Sequence, residues 1–198
     1  MFGPGDVRFF DTIAGLYDRT MPAAGTADLQ AGLAFAHRPL ERVLDVGGGT
    51  GRAARALRPR GIEPTVVDLS AGMLARARAV GHPAIRADVG ALPVRDGVAD
   101  AVVVADALHH FPSPGTALAE CARVLAPGGV LVVREFDPTT RRGRALASLE
   151  HLTGMDSQFF APDDLADSLA AEGLRSYVVQ PGFGYTVVGV KPTDEDGS

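Results

Sequence analysis

Four glycines within five positions constrain this chain more than any other feature. They sit in the stretch 42–68, which reads RVLDVGGGTG, then RAARALRPRG, then IEPTVVD. Val43, Leu44 and Val46 make a short apolar run suited to a strand buried on both faces of a parallel sheet. Gly47, Gly48, Gly49 and Gly51 follow at once, and Ala53, Ala54, Ala56 and Leu57 start a helical pattern within the same turn. A strand-to-helix turn so rich in glycine adopts backbone conformations that a Cβ resists. It also lets a ligand press against the main chain. A second apolar run, Thr65 to Val67, ends in Asp68. An acid at the tip of a second strand can accept hydrogen bonds from both hydroxyls of a ribose. The pattern predicts a nucleoside-binding site at the centre of the molecule.

Further units of the same kind follow. Ser70 can cap a helix in which Met73, Leu74 and Ala77 share a face, and Gly81 with Pro83 ends it. Ala84–Ala87 read as a third strand ending in Asp88, and Val98–Ala105 as a central fourth strand followed by Asp106, Ala107, Leu108, His109, His110 and Phe111. Ser113 and Pro114 suit an N-cap and first turn. Ala117, Leu118, Cys121, Val124 and Leu125 line the helix that follows. Pro127–Gly129 then turn the chain into a fifth strand, Val130–Val133, with Glu135 just beyond it. Helices are expected over 142–152 and 162–172, and strands over 177–180 and 185–190, the last two forming an antiparallel hairpin at a sheet edge. Five strands alternating with helices define an α/β fold, a doubly wound parallel sheet whose ligand lies beyond the strands' carboxyl ends.

Before the first strand, residues 1–8 read as a loose arm and FFDTIAGLYD (9–18) has helical spacing. That segment is either a helix packed on the domain or a lid whose Tyr17 closes over the ligand. Residues 26–37 repeat the helical period. The expected division of one domain is an N-terminal helical lid (1–38), a Rossmann-like core (39–192) and a disordered tail (193–198).

Composition excludes several classes. The formal charge is −5 and no basic cluster is dense enough to track a phosphate backbone, so no nucleic acid partner is expected. Cys121 is the lone cysteine, which rules out an internal disulfide and fits a reducing interior. No apolar run approaches the ~20 residues of a bilayer span, and the N-terminus lacks a signal-peptide pattern. A soluble, cytoplasmic protein without an integral membrane segment is expected. His37, His82 and His151 are scattered without ligand spacing, so no metal site is expected.

Gly49, Gly51 and Ala54 satisfy the GxGxxG/A pattern of NAD enzymes, with Asp68 about 20 residues on. Three features tip the reading elsewhere. Asp45 precedes the turn, giving D-x-G-x-G-x-G, and a carboxylate there suits a cationic ligand but opposes a pyrophosphate. Asp88 can accept from an adenine amino group. The PGG turn leads to a fifth strand and an edge hairpin closes the sheet.

With these motifs, residues 9–192 resemble the class I S-adenosylmethionine-dependent methyltransferases, and most of all the ubiquinone/menaquinone-biosynthesis C-methyltransferase group. That group carries FD-x-x-A-x-x-YD, here Phe10-Asp11 to Tyr17-Asp18, and an E-F pair after the fifth strand, here Glu135-Phe136. The resemblance implies a Rossmann-like seven-stranded sheet of order 3-2-1-4-5-7-6 with strand 7 antiparallel, and S-adenosyl-L-methionine as cofactor. It assigns the cofactor's methionine part to Asp45, Val46 and the Gly47, Gly48, Gly49, Thr50 and Gly51 backbone, with Tyr17 helping. Asp68 would take the ribose, Leu69 and Met73 the adenine face, Asp88 and Val89 the adenine edge, and Ala105 would pass near the sulfonium. Where the quinone methyltransferases have Arg-Asn after strand four, this chain has Leu108, His109, His110 and Phe111. That ending occurs among methyltransferases of unrelated small molecules.

The cofactor's methyl group is already activated, so the protein chiefly aligns a nucleophile and excludes water. His109, His110 and Glu135 are the candidate catalytic groups, because a phenol or hydroxyl acceptor must lose a proton. The plain alternatives are a packed or backbone-bonded histidine beside a solvent-facing one, and a surface or salt-bridged Glu135. Asp106 reads as a structural or rim group, Cys121 as core, and Arg141, Arg142 and Arg144 as solvated surface. The leading expectation is methyl transfer to a small molecule, with a quinone or polyprenyl-phenol ring carbon first among acceptors. An NAD-dependent oxidoreductase and a non-catalytic cofactor-binding protein are the alternatives. A homodimer is compatible with the sequence and not demanded by it.

Overall fold

Valine-rich runs separated by glycine turns build the sheet. The computed structural model describes Asp11 and residues 25–193, and its seven strands form one sheet in the order β3-β2-β1-β4-β5-β7-β6. These are β1 (Val43–Val46), β2 (Thr65–Asp68), β3 (Ala84–Arg86), β4 (Ala99–Ala105), β5 (Leu125–Phe136), β6 (Arg175–Gln180) and β7 (Gly184–Val190). Neighbours from β3 to β5 pair in parallel, whereas β7 runs antiparallel to both β5 and β6. The strand order and the antiparallel seventh strand are those the family resemblance implies.

Side-chain alternation divides the core into two faces. Val43, Ala101, Val103, Val130, Val132 and Val188 point to one side, where they meet α1 (Thr26–Leu33) and α2 (Arg52–Leu57). Leu44, Val46, Val102, Val104, Leu131 and Val187 point to the other, against α4 (Pro114–Val124) and α6 (Pro162–Ala171). Helix α3 (Ala71–Ala79) covers Val66 with Leu74 and Ala77, and α5 (Arg141–Leu152) follows β5. Burying each Leu or Val on these faces contributes about 1.5–3 kcal/mol. Cys121 is fully buried in α4, as the sequence suggested.

Some boundaries differ from the sequence reading. Helix α1 stops at Leu33 rather than 37. Strand β5 begins at Leu125, and the turn expected at Pro127–Gly129 is a bulge within it: Ala99 pairs with Leu125, but Ala101 already pairs with Val130. Gly128 makes this possible with φ of 74°, and the ladder to β7 bridges the bulge through Gly128 N–H to Lys191 O and Lys191 N–H to Gly129 O. Ser113 forms no side-chain cap on α4, although Pro114 occupies the first turn as expected. The arm 1–8, the Phe9–Asp18 segment apart from Asp11, and the tail 194–198 lie outside the described residues. So does Tyr17.

Candidate active site

A cleft opens beyond the carboxyl ends of β1, β2 and β4, beside the point where strand order reverses. About 950 Å³ of its space, counting the open mouth, is free of protein atoms. The floor is the glycine turn. Gly49 has φ of 56°, in the left-handed region, and a Cβ on Gly48 would sit 2.5 Å from the Asp45 carboxyl carbon. Only glycine leaves both the turn and that carboxylate undisturbed.

Asp45 is the most unusual group of the floor. It belongs to a fully buried strand, and its Oδ2 accepts a hydrogen bond from Ala54 N–H at 3.2 Å. Its Oδ1 is buried and has no hydrogen-bond partner among the described residues. Burial pushes its pKa up to about 7, only partly countered by the Ala54 N–H. An ionised carboxylate with one unanswered oxygen calls for a cation.

The next wall comes from β2 and α3. Asp68 accepts from Gly49 N–H at 2.9 Å and from Ser70 N–H at 2.8 Å, so the second acid is braced by backbone against the glycine turn. Ser70 caps α3 by accepting from Met73 N–H, and its hydroxyl donates to Asp11 at 2.5 Å. Asp11 also accepts from Gly72 N–H, which ties the acid of the FD pair to the rim. Leu69, Met73, Asp88 and Val89 complete this side, with Asp88 held by Gly90 N–H.

The third wall follows β4. Ala105 and Ala107 line the cleft on either side of Asp106, whose φ of 54° is the one positive value among the described non-glycine residues. Arg52 and Arg134 hold the Asp106 carboxylate. Of the structural or rim role expected of Asp106, these two ion pairs bear out the structural one. His110, Phe111 and Pro112 close the wall.

His109 turns the other way. Its Nδ1 lies 2.6 Å from Glu135 Oε2, its ring stacks on Phe159 at 4.5 Å, and its Nε2 faces Glu150 Oε1 at 3.9 Å. Burial opposes a charge on His109, but Glu135, Glu150 and Asp106 outweigh it and raise its pKa. Burial and the neighbouring His109 push His110 down to about 2, so that ring is neutral. The plain alternatives hold in part: His109 is packed and Glu135 is the salt-bridge partner rather than a surface carboxylate, whereas His110 lines the cleft wall instead of standing free in solvent.

Of the residues singled out from sequence, Asp45, Gly47, Gly48, Gly49, Asp68, Leu69, Met73, Asp88, Val89, Ala105 and His110 line the cleft. Val46, Thr50, Gly51, His109 and Glu135 do not. Strand alternation sends Val46 into the opposite core face, Thr50 is buried beneath the turn, and Gly51 abuts the His82 ring as the start of α2. Arg52, Ser70, Phe111 and Pro112 are lining residues that sequence reasoning missed. From sequence Ser70 reads only as a helix cap; its place two residues after Asp68 is the available signal.

Fold and cleft together define a nucleoside-cofactor protein of the doubly wound α/β kind. A methyltransferase domain family matches residues 44–133. A demethylmenaquinone methyltransferase of Thermus thermophilus is 35% identical over 163 residues, 72% of this chain and 74% of the relative. Another, of Clavibacter sepedonicus, is 35% identical over 155 residues, 71% of this chain and 63% of its own length. Other relatives of that name are matched over about half of their length. A solved Thermotoga maritima structure, described as a SAM-dependent methyltransferase and possible histamine N-methyltransferase, has a TM-score of 0.76 at 24% identity, covering 92% of this chain and 97% of that one. This last likeness is one of fold. The chain belongs to the class I S-adenosylmethionine-dependent methyltransferases. Its residues fit the family's cofactor, because the orphaned Asp45 oxygen and the Cβ-free turn leave room for a cationic group against the main chain.

Proposed function

We propose that this protein transfers a methyl group from S-adenosylmethionine to a small-molecule acceptor, first among them a quinone or polyprenyl-phenol ring carbon. The observation that carries the reading is Asp45, a buried carboxylate with one unpartnered oxygen under a glycine turn. When bound, the cofactor supplies a sulfonium-activated methyl group. Asp45 and the backbone of Gly47–Gly51, with Val46 and Thr50 shaping the turn from beneath, hold its methionine part. Asp68 takes the ribose hydroxyls, Leu69 and Met73 flank the adenine, and Asp88 and Val89 read its edge. Ala105, small and at the end of β4, lets the reacting centre approach.

His110 stands against the acceptor, and His109 with Glu135 backs it as the group that takes up an acceptor's proton. The phenylalanines beside that group, Phe111 and Phe159, suit a planar ring. The names of the Thermus and Clavibacter relatives support a quinone-type acceptor. Tyr17 and the residues that precede α1 are assigned to a lid, whereas α1 itself packs Leu29 and Leu33 into the core and corrects the expected 1–38 lid. Among the described residues no helix is long and apolar enough to cross a membrane, and we place the protein in the cytoplasm.

Calorimetric titration with S-adenosylmethionine, its demethylated product and NADH tests the cofactor. Micromolar binding of the first two, lost in Asp68→Ala, is expected; binding of NADH alone would overturn the reading. Acceptor screening then follows the labelled methyl group. His110→Ala is expected to lower kcat about 10²–10⁴-fold while cofactor affinity is kept. Label found only on amines, thiols or carboxylates would sink the quinone acceptor.

A further inference from the structure

Behind the cleft lies a polar cluster that the cofactor assignments leave unused. His109 and His110, in the turn after β4, and Glu150, on α5, bring two ring nitrogens and a carboxylate oxygen within 4.8 Å of one another. We propose that this cluster binds one divalent transition-metal ion of the zinc type, with Glu135 holding His109 in its ligating tautomer.

Three observations support the site. Two imidazoles and one carboxylate are the donor set of zinc centres that keep a fourth position for water or substrate. Hard cations such as Mg²⁺ prefer oxygen ligands and their own water, so two nitrogens argue against them. Second, Glu135 occupies His109 Nδ1 at 2.6 Å and Nε2 is aimed at Glu150, so an ion bound at Nε2 takes the place of any proton that nitrogen carries. A carboxylate on the distal nitrogen is the usual support of a metal-binding histidine. Third, Glu150 Oε2 is buried and has no hydrogen-bond partner among the described residues. An orphaned carboxylate oxygen beside two imidazoles is costly unless something positive fills the gap.

The spacing is right for an ion to be drawn in. Ligands around tetrahedral zinc at ~2.0–2.1 Å lie about 3.4 Å apart. His109 Nε2 and Glu150 Oε1 stand at 3.9 Å, and small side-chain rotations close the difference. The Glu150 side chain keeps 14% exposure, which gives an ion a way in from α5. His110 is shared with the wall of the cleft, so a bound ion would lie at the acceptor end of the cavity.

Metal binding is read without cofactor or acceptor, so it stands or falls separately from methyl transfer. The full chain, stripped by chelator, is titrated with zinc chloride by calorimetry, and cobalt(II) is added separately for its visible absorption. One zinc per chain and the intense cobalt bands of a four-coordinate site are expected. Glu150→Gln, on an outer helix, should weaken zinc binding at least tenfold with an unchanged circular dichroism spectrum. Glu135→Gln should weaken it about 10–100-fold. His151→Ala, an exposed neighbour whose Nδ1 bonds the Ala147 carbonyl, should change nothing. No stoichiometric binding overturns the proposal. So does zinc binding that survives Glu150→Gln or vanishes in His151→Ala, and so does tighter binding of Mg²⁺ than of zinc.

Discussion

At Asp45 a single carboxylate couples folding, ligand and pH. Its folded pKa of about 7 lies above the unfolded value of 3.8. Between those values the folded chain holds a proton that the unfolded chain has shed. The unliganded protein therefore loses stability as pH rises from about 4 to 7, by at most about 1.4 kcal/mol per unit. Cofactor binding has the opposite slope, because a cation beside Asp45 favours the ionised form. Affinity for S-adenosylmethionine should rise between pH 5.5 and 7, with a proton released on binding at the lower end. Calorimetry in buffers of different protonation enthalpy measures that release. Asp45→Asn should abolish the pH dependence and weaken binding; a slope retained in the variant would assign the proton to another group. The position of Asp45 before the glycines was legible in sequence. The missing partner of its Oδ1 was not, because it depends on where Ala54 and Arg52 fall in the next helix.

Among the elements, α3 shows how a short helix is secured at the edge of a site. Ser70 receives Met73 N–H and donates to Asp11, so one hydroxyl serves both the cap and the rim. Ser70→Ala is expected to cost about 1 kcal/mol. In urea this should appear as a lower midpoint with an unchanged slope. A change under a few tenths of a kcal/mol would mean that water replaces the hydroxyl. The cap could be read from the sequence, since a serine before an apolar helical face has a local cause. The bulge of β5 could not. Pro127–Gly129 has the composition of a turn, and it lies inside a strand because Lys191, just past the end of β7, supplies hydrogen bonds on the far side.

For the molecule as a whole, Asp100 links the chain entering the sheet to the central strand. It is 2% exposed and pairs with Arg38 at 2.7 Å, with Arg42, and with the N–H groups of Glu41 and Arg42. Burial works to raise its pKa, but those N–H groups and the two arginines prevail and lower it. A depressed folded pKa stabilises above the unfolded value of 3.8 and loses its effect as pH falls through the folded one. Asp100→Asn should therefore destabilise the protein by about 1–3 kcal/mol at pH 7. The difference from the parent should shrink below pH 4. Thermal melts at pH 7 and pH 3.5 make the comparison, and an equal difference at both would show that charge is not what matters.

Local pattern determined the strands, the glycine turn, and the acids at the ends of β1, β2 and β3. These depend on periodicity and on backbone conformations that neighbouring residues dictate. Helical and strand periods are written within a dozen residues, so they survive without a structure. The antiparallel hairpin of β6 and β7 was legible in its short link, whereas the strand order and the pairing of β7 with β5 entered only through family resemblance. The tertiary structure alone decided the split of the histidine pair, with His110 on the cleft wall and His109 turned toward Glu135 and Glu150. Glu150 lies 40 residues beyond His110, on a helix whose sequence carries no sign of that meeting. Such contacts arise from how α5 settles against the end of the sheet, a packing outcome that no local spacing encodes.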